Sequence, residues 1–334
     1  MSDTPYARGF YRPAPVEQVE WSFPLDHGGI VFDDPVPETR AAMALMDAVD
    51  PVFVTGLHNA ELGGVYFYVS DDLTPAIEDL HGVTAALGLP LDRGEPEFAG
   101  VEPLADAVFP ALSAHAMIDA LVEMGVDPAQ HVTAGGTADY AERFGASMLV
   151  AELPYWAHAD ADDVTESREK YRDVLARSAD DLRGLADVLD AALDVAGPDL
   201  GIESQLRRAA VAFAGGMRAN AEEAAARALD PASDRPATVA EVFSNADNVR
   251  MFRLRFGSML ARTLHVEIAA GTASPAVRSA ARDLDVVLEG WYAEAAERQA
   301  ELETIPIERL VGVQLGAVLS AARVAVSRRR GESV

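Results

Sequence analysis

A histidine and a glutamate, His58 and Glu152, are the residues of this chain whose types and positions best suit chemistry. His58 follows the β-branched and aromatic run 52–54 and the glycine at position 56, and Glu152 interrupts the apolar segment 147–153. Enzymes of the α/β class place reactive groups near strand ends, beside glycines that allow close approach. A carboxylate in a buried strand must be paired, hydrogen-bonded or catalytic. His58 and Glu152 are therefore the two candidate residues for chemistry, and neither is specific alone.

The elements that must position these residues are strands and helices in the first 160 residues. The stretch Val52–Asp71 predicts two strands, at 52–54 and 65–69, joined by a turn that carries His58. A helix is predicted to open at Pro37-Glu38-Thr39 and to stop at Asp50-Pro51. Further helices are expected at 73–87 and 104–124, and 146–153 reads as a buried strand.

After residue 160 the strand signals disappear and amphipathic helices follow one another. Apolar residues keep helical spacing over 171–196, and further helices are expected over 202–229, 239–269, 275–302 and 305–328. We therefore expect an α/β domain over residues 1–160 and an all-α domain over residues 161–334. The helical domain is the part through which a homo-oligomer could form.

Composition limits the classes of partner and site. The 27 Lys and Arg against 54 Asp and Glu give a net charge of −27, which argues against nucleic acid as a partner, because binding a phosphate backbone needs clustered cations. The chain has no cysteine, so a metal would have to be held by histidine and carboxylate. The sequence has neither a signal peptide pattern at its start nor a run of 18 apolar residues, so we expect a cytoplasmic protein with no membrane partner.

Four motifs follow one another along the chain: the helix opening 34–40 (DPVPETR), the segment 57–66 (LHNAELGGVY), the loop 135–140 (GGTADY) and the strand 149–154 (LVAELP). They occur in the order found in zinc carboxypeptidases of the M14, carboxypeptidase A-like family, which this chain resembles over about residues 10–156. The resemblance implies a mixed-sheet α/β fold and a Zn²⁺ cofactor. It also implies hydrolysis of a peptide or amide bond next to a free carboxylate.

By this resemblance His58 is a zinc ligand and Glu152 is the general base that takes a proton from the zinc-activated water. The same carry-over assigns substrate contacts to His131, which stands where the digestive enzymes have a mobile tyrosine, and to Ala138 in the pocket for the terminal side chain. Arg12 is the residue we assign to substrate in the segment before the first predicted helix.

The chain also departs from the family pattern. The family's first two zinc ligands come from an HxxE motif far ahead of the metal strand, and the 57 residues before His58 contain His27 but no such motif. We therefore expect an N-terminally incomplete peptidase domain, which would be inactive as given if the missing ligands are not supplied.

Two alternatives stay open. His58 and Glu61 themselves form an HxxE, so both could bind zinc, with His115, His131 or His158 as the third ligand. In the second alternative the chain is a metal-free, degenerate peptidase-derived module for binding or oligomerisation.

Overall fold

The computed structural model describes residues 3–95, 101–111, 113–123, 127–298 and 301–332. It is a mixed α/β structure with a mixed central sheet and many helices. The chain forms two compact units, each built from two segments. The sheet unit comprises Pro15–Asp163 and Glu303–Val334, and the helical unit comprises Met1–Ala14 and Val164–Leu302.

The helices and strands have the following bounds in chain order. The first part of the chain contains α1 (Asp3–Gly9), β1 (Leu25–His27), β2 (Ile30–Phe32), α2 (Pro37–Val49), β3 (Phe53–Gly63), β4 (Tyr66–Val69), α3 (Ile77–Ala86), β5 (Val108–Pro110), α4 (Ala114–Glu123), α5 (Thr137–Glu142) and β6 (Ser147–Ala157). The second part contains β7 (Glu166–Lys170), α6 (Tyr171–Ala196), α7 (Gln205–Ala228), β8 (Pro236–Thr238), α8 (Val239–Ala270), α9 (Pro275–Arg298), β9 (Glu303–Thr304) and α10 (Ile307–Arg329).

The central sheet of the sheet unit has the strand order β3-β6-β4-β5. Strand β6 runs parallel to β3 and antiparallel to β4, and β4 runs parallel to β5. The short strand β9 pairs with the end of β6 at Trp156 and Ala157. Strand β6 is therefore the central strand, and its residues face partners on both sides.

The two faces of this sheet have different coverings because successive side chains of a strand point to opposite sides. Leu149, Ala151 and Leu153 of β6 pack in one hydrophobic core with α3 and α10. Val150, between them in sequence, packs in a different cluster with three aromatic side chains of β4 and β5, which are Tyr66, Tyr68 and Phe109. Glu152 alternates with the helix-covered residues and so lies on the aromatic face.

The helical unit is built from long helices that pack side by side. Its core contains fully buried side chains from α6 and α8, among them Leu185, Leu189, Met259, Leu260 and Leu264. Helix α8 begins with a reciprocal cap, in which the Thr238 hydroxyl accepts from the Glu241 N–H and the Glu241 carboxylate accepts from the Thr238 N–H. Helix α8 ends at Gly271, whose φ of +76° suits a residue without a Cβ.

Several predicted elements are confirmed. Helix α2 begins at Pro37 and ends before Asp50, and the four long helices of the helical unit lie within a few residues of their expected bounds. Two elements also extend beyond their predicted ends. Strand β6 continues past Pro154 to Ala157, and α10 ends at Arg329.

Two predictions for the first half of the chain were wrong. The predicted helix at 104–124 is a loop, then strand β5, then the shorter helix α4, because Val108–Pro110 pairs with β4; Met124 lies outside the described residues. The predicted turn around His58 is part of β3, which continues through Gly56 and His58 to Gly63 because β6 pairs with it along that length.

The two compact units do not correspond to a single division of the chain at residue 160. The change of unit at Asp163 lies close to that position, but helix α10 belongs to the sheet unit and helix α1 to the helical unit. Helix α10 buries Leu310, Val313 and Val324 in the core beneath the sheet. Helix α1 is held by Arg262, whose guanidinium donates to the carbonyl oxygens of Gly9 and Phe10 at its C-terminal end.

Among the described residues, α10 is the one helix that meets the length and composition requirements for a membrane span. Core helices of other proteins meet the same requirements, and α10 packs its buried side chains against the sheet.

Candidate active site

His58 and Glu152 face each other on two adjacent parallel strands. They are register partners in the β3–β6 pair, and their side chains lie on the aromatic face of the sheet. The imidazole Nδ1 of His58 lies 2.9 Å from Oε1 of Glu152. An ionised carboxylate can only accept hydrogen bonds, so the hydrogen of this pair belongs on Nδ1 of the imidazole.

The two partners differ in their access to water. The Glu152 side chain is 8 % exposed, whereas the His58 side chain is 31 % exposed. A buried carboxylate of this kind requires a polar partner, because desolvation without one costs several kcal/mol. The imidazole is therefore the more accessible side chain of the pair, and the Glu152 carboxylate on the neighbouring strand fixes its orientation.

Gly56 makes room for the imidazole. A Cβ at position 56 would lie 3.0 Å from Nε2 and 3.1 Å from Cδ2 of His58, so the ring lies over the backbone of the residue two positions earlier. Residues i and i+2 of a strand share a face, which explains why these two meet. The predicted strand ended at residue 54, before Gly56; the period of two in β-strands is the signal that places Gly56 on the same face as His58.

His58, Glu152 and Tyr66 form a row of polar side chains across the three adjacent strands β3, β6 and β4. Tyr66 of β4 is the register partner of Glu152 on the side opposite His58. The next row contains Val150, Tyr68 and Phe109, and the rings of Tyr66 and Tyr68 meet edge to face with centroids 5.8 Å apart. Tyr66 was not identified from the sequence, because its pairing with Glu152 depends on the antiparallel register of β4 and β6.

Glu61 lies beyond an irregularity in the same strand. The β3–β6 register shifts on both sides of Glu61, which pairs with Pro154 and adopts a left-handed φ of +64°. The negative charge of Glu61 contributes to a raised pKa of the Tyr155 hydroxyl, whose principal cause is burial. The bulge thus separates Glu61 from the regular part of the strand that holds His58.

The loop 135–140 is held by an aspartate. The buried Asp139 carboxylate accepts hydrogen bonds from the N–H groups of Gly136 at 2.7 Å, Ala114 at 3.1 Å and His115 at 3.3 Å, and from the Ser113 hydroxyl at 2.7 Å. It therefore caps the N-termini of both α4 and α5. Ala138, assigned to a substrate pocket by resemblance, is a buried residue of α5.

The other two assigned substrate residues have different surroundings. His131 is an exposed residue that follows a short 3₁₀ helix, and its N–H donates to the carbonyl oxygen of Pro128. Arg12 is a half-buried residue of the helical unit, whereas His58, Glu152, His131 and Ala138 all belong to the sheet unit.

The site contains residue types that bind zinc, but among the described residues it contains too few of them. Imidazole and carboxylate are normal zinc ligands, but catalytic zinc sites use three protein ligands and one open position. Within the described ranges there is no group of three or more histidine, aspartate or glutamate side chains that could hold a metal ion. His58 and Glu152 are therefore fewer side chains than a catalytic zinc site of this kind requires.

The site as described is a carboxylate-oriented imidazole on a rigid sheet, with tyrosines beside it. Such a pair can hold a ligand or move a proton at the exposed ring. No protein-family model matches the chain, and neither a curated protein nor a solved structure matches it.

Proposed function

We propose that the sheet unit carries one half of a metallocarboxypeptidase-type active site, which hydrolyses a peptide or amide bond next to a free carboxylate. The observation that carries this proposal is the 2.9 Å contact between His58 Nδ1 and Glu152 Oε1 at facing positions of β3 and β6. It joins the two residues that the M14-like motifs assign to the metal and to the general base. The zinc carboxypeptidase-like fold is part of the same proposal.

In this proposal each residue has a role that its surroundings support. Zinc, when bound, would supply a Lewis acid and a water of lowered pKa next to His58. His58 would be a metal ligand, held in one ring orientation by the neighbouring strand. Glu152 would accept the proton of the attacking water and return it to the leaving amine. Its position on the central strand suits this role, because a rigid base keeps its distance from the reacting atoms.

The remaining assignments are also proposals. Two further metal ligands would be needed besides His58, and Glu61 is the alternative candidate for one of them. His131 and Ala138 would contact the substrate, and the assignment of Arg12 to its terminal carboxylate stays a prediction from the sequence.

A second function is favoured by the donor count. In this alternative the chain is a metal-free, degenerate peptidase-derived module whose helical unit would mediate oligomerisation; within the described residues there is no group of three potential metal ligands. The two functions differ in zinc stoichiometry and in hydrolysis.

The test uses the full chain. Purified protein is equilibrated with zinc, desalted and analysed for metal, and hydrolysis of N-acyl dipeptides with a free terminal carboxylate is followed by chromatography. If two further ligands of the chain complete the site, we expect one zinc per chain, loss of that zinc in His58→Gln, and a fall in kcat of about 10² to 10⁴ in Glu152→Gln with little change in KM. His265→Gln and Glu142→Gln, at exposed positions, are the matched controls.

Each result decides between named alternatives. A chain that binds no zinc and hydrolyses no substrate contradicts the proposal and supports the metal-free module. If Glu61→Gln removes zinc as completely as His58→Gln, then Glu61 is a ligand and our preferred assignment of the motif is wrong.

A further inference from the structure

Helix α10 reaches the backbone of both site strands through one side chain, Gln314. Its amide nitrogen Nε2 lies 3.2 Å from the carbonyl oxygen of His58 and 3.1 Å from the carbonyl oxygen of Ala151. Ala151 directly precedes Glu152, so one amide group contacts the main chain at both members of the candidate pair. Helix α10 packs against the face of the sheet opposite the Glu152 side chain, so Gln314 acts from behind the site.

The orientation of this amide is determined by its partners. An NH₂ group has two hydrogens, one for each carbonyl oxygen, whereas the reversed amide would place its own oxygen against two carbonyl oxygens. The Gln314 Oε1 atom is buried and accepts no hydrogen bond within the described part of the chain. The two carbonyl contacts are therefore the polar interactions that this amide makes there.

The contact lies where the β3–β6 ladder becomes irregular. The register is continuous from Phe53 through Asn59 and then shifts at Glu61. A bulge leaves a residue of the ladder unpaired and allows the strand to bend. A donor that bridges β3 and β6 just before the shift holds the last regular residues of the two strands together.

We propose that Gln314 is a positioning residue for the His58–Glu152 pair. By bridging the carbonyl groups of residues 58 and 151, it keeps β3 and β6 in the register that places Nδ1 of His58 against the Glu152 carboxylate. Any effect of Gln314 on catalysis rests on the proposed hydrolase function, whereas its effect on the orientation of the His58 imidazole does not.

The test is a spectroscopic readout of His58 in the full chain labelled with ¹⁵N-histidine. The His58 ring nitrogens are assigned by comparison with His58→Gln. In the wild type we expect a hydrogen localised on Nδ1, because the Glu152 carboxylate lies 2.9 Å from that nitrogen and accepts from it. In Gln314→Met, which keeps the length but removes the donors, we expect the two nitrogens to move toward averaged tautomer shifts.

Two further variants keep the test decisive. Gln314→Glu places a carboxylate against two carbonyl oxygens and should disturb the His58 nitrogens at least as strongly, so it serves if the methionine variant does not fold. Leu315→Met, at the adjacent exposed position, is the matched control and should leave the nitrogens at their wild-type shifts.

The outcomes separate this proposal from the proposed function. If Gln314→Met folds and keeps the wild-type His58 shifts, the positioning role is overturned even where the enzyme hydrolyses its substrate. If the shifts change while the wild type hydrolyses nothing, the positioning role stands and the proposed function fails. If the positioning role and the proposed function both hold, Gln314→Met should lower kcat about 10- to 100-fold and leave KM unchanged, as for other residues that orient a metal ligand.

Discussion

The imidazole of His58 lies directly over Gly56, with Nε2 at 3.0 Å from the position that a Cβ of residue 56 would occupy. The same ring meets Glu152 through its other nitrogen, Nδ1. The ring is thus held between a glycine on its own strand and a carboxylate on the next strand. Any side chain at position 56 would compete with the ring for this space.

Gly56→Ala should therefore displace the imidazole with little effect on the fold. The added methyl group approaches two ring atoms more closely than ordinary contacts allow, so the ring must rotate and the Nδ1 to Oε1 distance must lengthen. Alanine also removes the entropic disadvantage of glycine within a strand, so we expect the free energy of unfolding to change by less than about 1 kcal/mol. The ring nitrogen shifts of His58 and a urea unfolding curve would measure the two effects.

The control for this change is Gly82→Ala in α3, where a Cβ would meet no atom within 4 Å. It should leave His58 unchanged and stabilise the protein by about 0.5–1 kcal/mol. Unchanged His58 shifts in Gly56→Ala would contradict the packing described for the ring.

Asp139→Asn should destabilise the sheet unit. The asparagine amide would turn one acceptor into a donor that faces backbone N–H groups, whereas the carboxylate accepts four hydrogen bonds at the starts of α4 and α5. Since hydrogen bonds to charged groups contribute about 1.5–3 kcal/mol each, we expect a loss of about 2–3 kcal/mol in the free energy of unfolding. Glu142→Gln, at an exposed position in α5, should change it by less than about 0.5 kcal/mol. Equal stability of the two variants would show that the loop does not depend on Asp139.

Asp72→Asn should loosen the contact between α10 and the sheet. The Asp72 carboxylate accepts from the hydroxyls of Ser70 and Ser147, both at 2.5 Å, and pairs with Arg328 at 2.7 Å. We expect a loss of about 1–3 kcal/mol in unfolding free energy, because the asparagine cannot accept from all three groups. Asp71→Asn, one residue earlier and exposed, is the control. Faster hydrogen exchange in α10 of the Asp72 variant alone would confirm that the effect is local, and equal exchange in both would contradict it.

Acid should weaken the helical unit through Glu267. The Thr272 hydroxyl and the N–H of Ile202 donate to this buried carboxylate and hold its pKa below the ordinary glutamate value, against the opposing effect of burial. A carboxyl whose pKa is lower in the folded state stabilises the fold above its unfolded pKa, near 4.3, and loses that contribution as the pH falls through the folded pKa. We therefore expect protection of the Ile202 amide from hydrogen exchange to decrease as the pH falls below about 4.

In Glu267→Gln the Ile202 amide should already be less protected from hydrogen exchange at pH 7. The further loss of protection below about pH 4 should be smaller than in the wild type. Glu294→Gln, an exposed position in α9, should keep the wild-type pH dependence. If Glu267→Gln and the wild type show the same pH dependence, the Glu267 carboxylate does not supply this stability.

Local signals in the sequence determined the ends of elements. Helix α2 begins at Pro37 and ends at Asp50-Pro51, as predicted, because proline is favoured in a first turn and unfavourable within a helix. The long helices 171–270 were predictable from apolar spacing alone, since each buries one stripe against its neighbours. Such signals depend on residues only a few positions apart.

The tertiary structure alone decided which distant residues meet. The register that places His58 beside Glu152, and Glu152 beside Tyr66, is set by strand pairing across many residues of chain. Pairing with β6 carries β3 through Gly56, and pairing with β4 turns Val108–Pro110 from a predicted helix into a strand.

Helix α10 illustrates the same limit of the sequence. The spacing of its apolar residues predicted a helix but did not predict the sheet against which that helix packs. It packs beneath the sheet, where Gln314 reaches the carbonyl groups at residues 58 and 151. The sequence thus determined that Glu152 stands in a strand-forming segment and that His58 and Glu152 carry groups that can pair with each other. Their contact, and the glycine and glutamine around it, were decided by long-range pairing and packing, which depend on the whole chain rather than on neighbours in sequence.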